Sequence, residues 1–223
     1  MKPLILNNQL NKSILWRGCI LASIAHAIMV AHYPELSYEH SWDGENYSVV
    51  DGSGGRGTIS FIDKYLVGAF RNDNVTRTDI SKAIDFFIDA PKEVLEIAKN
   101  ETLEYLLKEG ENGTAFPSIT TAFWGDNDTF TSIDNIVKLV QCGGYLIERQ
   151  LMKSDYAIES WRDYYEMTSE QVELLIAIYD RKVNNPDEKI TLTIREIEMI
   201  GAEDSEGLSE SMASFEEIGV YWT

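Results

Sequence analysis

Residues Ser37–Arg71, SYEHSWDGENYSVVDGSGGRGTISFIDKYLVGAFR, decide how the fold is read. Asp43-Gly44 is a strong turn dipeptide, and Tyr47-Ser-Val-Val after it has the composition of a strand. Asp51-Gly52-Ser53-Gly54-Gly55 makes the next turn. Thr58–Phe61 then alternates, with Ile59 and Phe61 on a face that should be buried. Tyr65–Phe70 is apolar almost throughout. The stretch predicts an antiparallel meander of three to four strands. Helical patterns lie on both sides of it, so the expected class is α+β, a meander packed with several helices.

Outward from the meander, Ile14–Tyr33 is apolar on most of its circumference and reads as a central helix, capped by Ser13 and ended by Pro34. Before it, Pro3-Leu-Ile-Leu reads as a short strand leading into an Asn-rich turn. After the meander, Thr78 or Asp79 is placed to cap a helix carrying Ile80, Ile84, Phe87 and Ile88. Pro91 opens another helix, which Gly110 and Gly113 close. Ile119–Trp124 reads as a strand, and Ser132–Gln141 and Tyr145–Trp161 as helices. Thr168 and Gln171 have capping-box spacing, ahead of a helix with Val172, Leu175, Ile176 and Tyr179 on one face. Ile190–Ile194 can form a strand, Leu208–Ile218 an amphipathic helix and Val220–Trp222 a last strand. One α+β domain over residues 1–223 is the first expectation, and a subdivision near 113 the second.

Charge is the anomaly. Nineteen basic residues against 37 acidic ones give a net −18. Such a field repels nucleic acid and anionic membrane and draws basic partners in. Cys19 and Cys142 sit in apolar surroundings, which predicts two buried free thiols and a reducing, cytoplasmic setting. Ile14–Tyr33 has nearly the length to span a bilayer, but Arg17, His26 and His32 interrupt it. A buried helix with no membrane role is the expectation.

No set of residues commits the chain to a reaction. The cluster GSGGRG at 52–57 is followed by a strand, whereas a phosphate loop needs a helix N-terminus there. It reads as a tight turn, with Arg56 free to pair with Asp43 or Asp51. His26, His32 and His40 lack metal-ligand spacing, and Cys19 lies two helical turns from His26. Asp126 and Asp128 hint at calcium, but the loop lacks the glycine and the closing Glu of an EF-hand. No catalytic residue, metal or cofactor is predicted. The last thirty residues are the clearest charge feature, with Glu203, Asp204 and Glu206 at their centre. They read as an electronegative docking surface for a basic protein. Trp42 and Tyr47 are the aromatic anchor candidates beside Asp43, Asp51 and Arg56.

The run His40-Ser-Trp-Asp-Gly-Glu-Asn-Tyr-Ser-Val-Val-Asp, followed by Gly55-Arg-Gly-Thr-Ile-Ser-Phe, resembles the immunity proteins of bacterial polymorphic toxin systems. The resemblance covers residues 40–61. It implies a small cytosolic protein that binds a cognate toxin domain and blocks it, and it carries no contact motif that transfers residue by residue. A second reading is a small-molecule enzyme, a hydrolase or transferase, with Asp43, Asp51 and Arg56 in a pocket near residues 40–57.

Overall fold

Alternating residues between Tyr47 and Phe61 build antiparallel strands joined by a glycine turn, within an α+β fold. The computed structural model describes residues 4–7, 11–110, 112–126 and 129–223. In chain order the elements are β1 (Leu4–Asn7), α1 (Lys12–Met29), β2 (His40–Asp43), β3 (Asn46–Val50), β4 (Gly55–Ser60), β5 (Leu66–Asn72) and α2 (Lys92–Asn100). Then come β6 (Leu107–Glu109), β7 (Ala115–Pro117), β8 (Thr121–Gly125), β9 (Phe130–Ser132) and α3 (Ile136–Gln141). The chain ends with α4 (Ser154–Tyr165), α5 (Ser169–Asn184), β10 (Ile190–Leu192), α6 (Ile194–Ile200), α7 (Ser205–Glu217) and β11 (Val220–Trp222). Among the described residues no helix is long and apolar enough to cross a membrane. The Asn-rich turn expected after the first strand and Asp128 lie outside the described residues.

The backbone separates into two compact units, each made of two stretches of chain. Unit 1 is Met1–Leu15 with Glu45–Glu148, and unit 2 is Trp16–Gly44 with Arg149–Thr223. Position 113, the second-choice boundary, falls inside unit 1. The divisions lie within α1, after β2 and before the 3₁₀ turn Arg149–Leu151, where no linker composition marks them.

Unit 1 is built on an antiparallel sheet in the order β1-β9-β8-β5-β4-β3. Val67, Ala69, Ala122 and Trp124 share one face and pack into a core with α2 and the 3₁₀ turns Ala83–Phe87 and Thr102–Leu106. Val94, Ile97 and Ala98 of α2 meet it at helical spacing. The opposite face carries Tyr47, Ile59, Phe70 and Phe123, all buried, with Phe123 stacked on Phe130 at 5.2 Å. Burying side chains of this size contributes about 1.5–3 kcal/mol each.

Unit 2 gathers Leu21, Ile24 and Ile28 of α1 with Trp161, Tyr165, Leu174, Ile178 and Phe215 in a second core. Thr168 and Gln171 form the expected capping box of α5. Strands β10 and β11 pair in parallel.

Several expectations fail for identifiable reasons. Asn11 replaces Ser13 as the cap of α1, because its Oδ1 accepts the Ile14 N–H at 3.0 Å. No helix starts at Thr78 or Asp79, since Arg77 and Lys138 take the Asp79 carboxylate. The helix after Pro91 stops at Asn100, and Leu107–Glu109 pairs with Ala115–Pro117 as a hairpin. Ser132 belongs to β9, and Asn135 caps α3 by accepting the Lys138 N–H. The predicted helix Tyr145–Trp161 is broken into two 3₁₀ turns and α4.

Candidate functional site

Trp42, Asp43, Glu203, Asp204 and Glu206 belong to unit 2, and Tyr47, Asp51 and Arg56 to unit 1. Tyr47 is fully buried. It offers no surface, so the anchor role expected of it is withdrawn. Trp42 is half-buried: its ring N–H donates to Ser23 Oγ at 2.8 Å and its backbone N–H to Glu217 Oε2 at 2.7 Å. Asp43 is exposed at the end of β2.

Asp51 organises the β3–β4 turn, in which Gly54 takes φ +98°. Its carboxylate accepts the N–H of Ser53 at 2.8 Å, the N–H of Gly55 at 2.7 Å and the hydroxyl of Tyr145 at 2.7 Å. Burial pulls this carboxyl up, and the hydrogen bonds outweigh it, leaving it below its ordinary value. Burial and then Asp51 push the Tyr145 hydroxyl up to about 12. Gly55 is required here, because a Cβ would lie 2.3 Å from Tyr145 Oη and 2.6 Å from Asp51 Oδ2.

The expected pairing of Arg56 with Asp51 does not form. Arg56 stands opposite Val50, while the Asp51 N–H donates to Gly55 O, one position further along. Side chains alternate along a strand, so the Asp51 carboxylate and the Arg56 guanidinium leave on opposite faces. The pocket wall expected from Asp51 and Arg56 is therefore not assembled.

Two further clusters were not foreseen. In unit 1 an open cleft of about 1000 Å³ is lined by Thr76, Arg77, Asp79, Asn135, Lys138 and Cys142, among others. At its base Arg77 donates to Asp134 at 2.9 and 3.1 Å and to Asp79 at 2.8 and 3.1 Å. Asp134 has no exposed side-chain surface, and Thr121 also donates to it at 2.7 Å. Lys138 closes the network on Asp79 at 2.7 Å. Each charge has its counter-charge, which makes this a structural bracket rather than a set of reacting groups.

In unit 2 Glu39 accepts hydroxyls from Tyr164 at 2.7 Å and Tyr165 at 3.0 Å. Tyr165 Oη also lies 3.2 Å from His26 Nδ1. The rings of His26 and His40 meet edge to face at 5.3 Å, and His40 meets Trp161 at 5.4 Å. Burial holds His26 down at about 4, and burial, then His26 and Arg149, hold His40 well below its ordinary value. Both imidazoles are buried, and so are Glu39 and Tyr165. Both cysteines are free and buried, and burial pushes the Cys19 thiol well up. Among the described residues no group of His, Cys, Asp or Glu could hold a metal.

What remains open to solvent is the acidic helical surface of unit 2. Glu203 and Glu206 are exposed around the start of α7, and Asp204 caps that helix by accepting the Gly207 N–H at 2.8 Å. Glu198 and Glu216 are exposed on α6 and α7. Large apolar side chains stand out from the same unit: Tyr156 is 72% exposed, Ile194 69%, Tyr164 43% and Met212 39%. The sequence does not reveal them: Ile194, expected to end a strand, instead opens α6. No family model, curated protein or solved structure matches the chain.

Proposed function

We propose that this chain is a binding protein of the cytosol that neutralises a basic protein by covering it, as an immunity protein covers its toxin. The observation that carries the reading is the concentration of unneutralised, exposed carboxylate in unit 2. That unit has 20 acidic and 8 basic residues, a net −12, against 17 and 11, a net −6, in unit 1. Its exposed Ile194, Met212 and Tyr156 add apolar area of the kind that supplies affinity, while the charge supplies encounter rate. The resemblance over residues 40–61 names the same class of protein.

The test is co-expression with a candidate basic toxin domain, scored by rescue of growth and by a stable purified complex. Rescue that survives conversion of Glu203, Glu206 and Glu216 to lysine would contradict the reading. So would rescue with no complex.

A further inference from the structure

The chain is rich in carboxylate, and several of its arginines pair with one. Arg77 meets Asp79 and Asp134, Arg162 meets Glu159, and Arg181 meets Glu196. Arg56 and Arg71 are the arginines with a buried Nε that makes no hydrogen bond among the described residues. Among the described residues the Arg56 side chain makes no hydrogen bond and no ion pair. Its cross-strand neighbour carries the same sign. Arg56 and Arg71 are direct partners across β4 and β5, so both side chains stand on one face of the sheet. Like charges placed directly opposite one another on neighbouring strands destabilise the pair.

Arg71 is only partly compensated. Its side chain keeps 8% of its surface exposed. Its Nε lies 3.1 Å from Asp73 Oδ1, but off the N–H direction, so that nitrogen remains without a hydrogen bond. A terminal nitrogen reaches Leu107 O at 3.5 Å, at the outer limit of a hydrogen bond. Burial, and then the charge of Arg56, pulls the guanidinium below its ordinary pKa. Two residues along the same face, the hydroxyls of Ser48 and Thr58 lie 3.3 Å apart.

We propose that Arg56 and Arg71 form a binding site on unit 1 for an oxyanion, the phosphate or carboxylate group of a small ligand. Two guanidinium groups on one face of the sheet can bind such a group through charge-assisted hydrogen bonds. An anion between them would cancel the repulsion between the strands. This site is separate from the acidic surface on which the protein-binding reading rests.

The test is thermal melting of the full chain in chloride, phosphate and acetate at equal ionic strength, for the wild type and Arg56→Gln. Arginine Nε–Hε resonances are followed in parallel. The wild type should gain melting temperature saturably with phosphate or acetate, with shifts at two arginine Nε–Hε signals. A response to phosphate alone assigns a phosphoryl ligand, and to acetate alone a carboxylate. Arg56→Gln should melt at the same or a higher temperature in chloride and bind the anion at least tenfold more weakly. A wild type that responds no differently to oxyanions than to chloride overturns the site. So does an Arg56→Gln variant that keeps the response, or one that melts well below the wild type in chloride.

Discussion

In unit 1 the Arg77 guanidinium is enclosed by Asp79 and the buried Asp134, and Lys138 completes the ring. In unit 2 the ion pairs Arg162–Glu159 and Arg181–Glu196 sit at the surface, among carboxylates that outnumber cations by 20 to 8. One unit spends its charge on holding a loop against a sheet. The other leaves its charge facing water, where it contributes little to stability. The buried polar groups of unit 2 are of another kind: neutral imidazoles and tyrosine hydroxyls gathered on Glu39. The units should therefore answer differently to mutation, acid and salt.

The sharpest break in the comparison is Asp134→Ala. It removes the buried one of the two carboxylates that hold the Arg77 guanidinium, whose side chain is 6% exposed, leaves Asp79 as its only counter-charge among the described residues, and should cost about 3 kcal/mol in urea unfolding. A loss no larger than that of a surface change would mean water replaces the carboxylate.

Acid should act on unit 2 before it acts on the bracket of unit 1. The unfolded chain takes up a proton on histidine near pH 6.5. Folded His26 resists until about 4. The unfolded state thus binds more protons between these values. Stability is full above 6.5, falls as pH drops toward 4 and levels off below, a loss of about 3 kcal/mol for His26. His40 adds in the same direction. Asp79, held far below its ordinary range by Arg77 and then Lys138, gives way only at lower pH. Urea midpoints measured against pH should show this slope, and His26→Gln should flatten it. An unchanged slope in the variant would remove His26 from the account.

Gly55→Ala sharpens the comparison on the side of unit 1. Its methyl occupies the space of the Tyr145–Asp51 hydrogen bond and should cost about 1–3 kcal/mol. The Tyr145 hydroxyl, now pushed up to about 12, should then ionise at lower pH, as ultraviolet titration would show. At the small end, Glu203→Lys with Glu206→Lys on the exposed start of α7 should change stability by no more than about 0.5 kcal/mol. A larger loss would give those carboxylates a structural job.

What could be read from the chain divides along the same physical line. Local chemistry was legible: the strand alternation at 47–61, the Thr168–Gln171 box and the free cysteines. The meander and the acidic stretch around Glu203 were legible for the same reason. Features set by distant partners were not. Asp79 fails as a cap because Arg77, itself fixed by the distant Asp134, and Lys138 take its carboxylate. The helix expected over Tyr145–Trp161 breaks where the Gln150 backbone passes against Gly18, so close that a Cβ there would sit 1.8 Å from Gln150 O. His26 and Tyr165 are 139 positions apart, and no spacing rule joins them. Arg56 and Asp51 looked like partners because they are near in sequence. Only the register, with Val50 opposite Arg56, shows that they part.

The measurement closest to the heart of this account is the association rate of the full chain with the basic toxin domain it is proposed to neutralise, followed from low to high salt. If the open carboxylates of unit 2 guide docking, the rate should fall by about tenfold or more as salt rises, and Glu203→Lys with Glu206→Lys should remove much of that dependence. A rate indifferent both to salt and to those substitutions would contradict it.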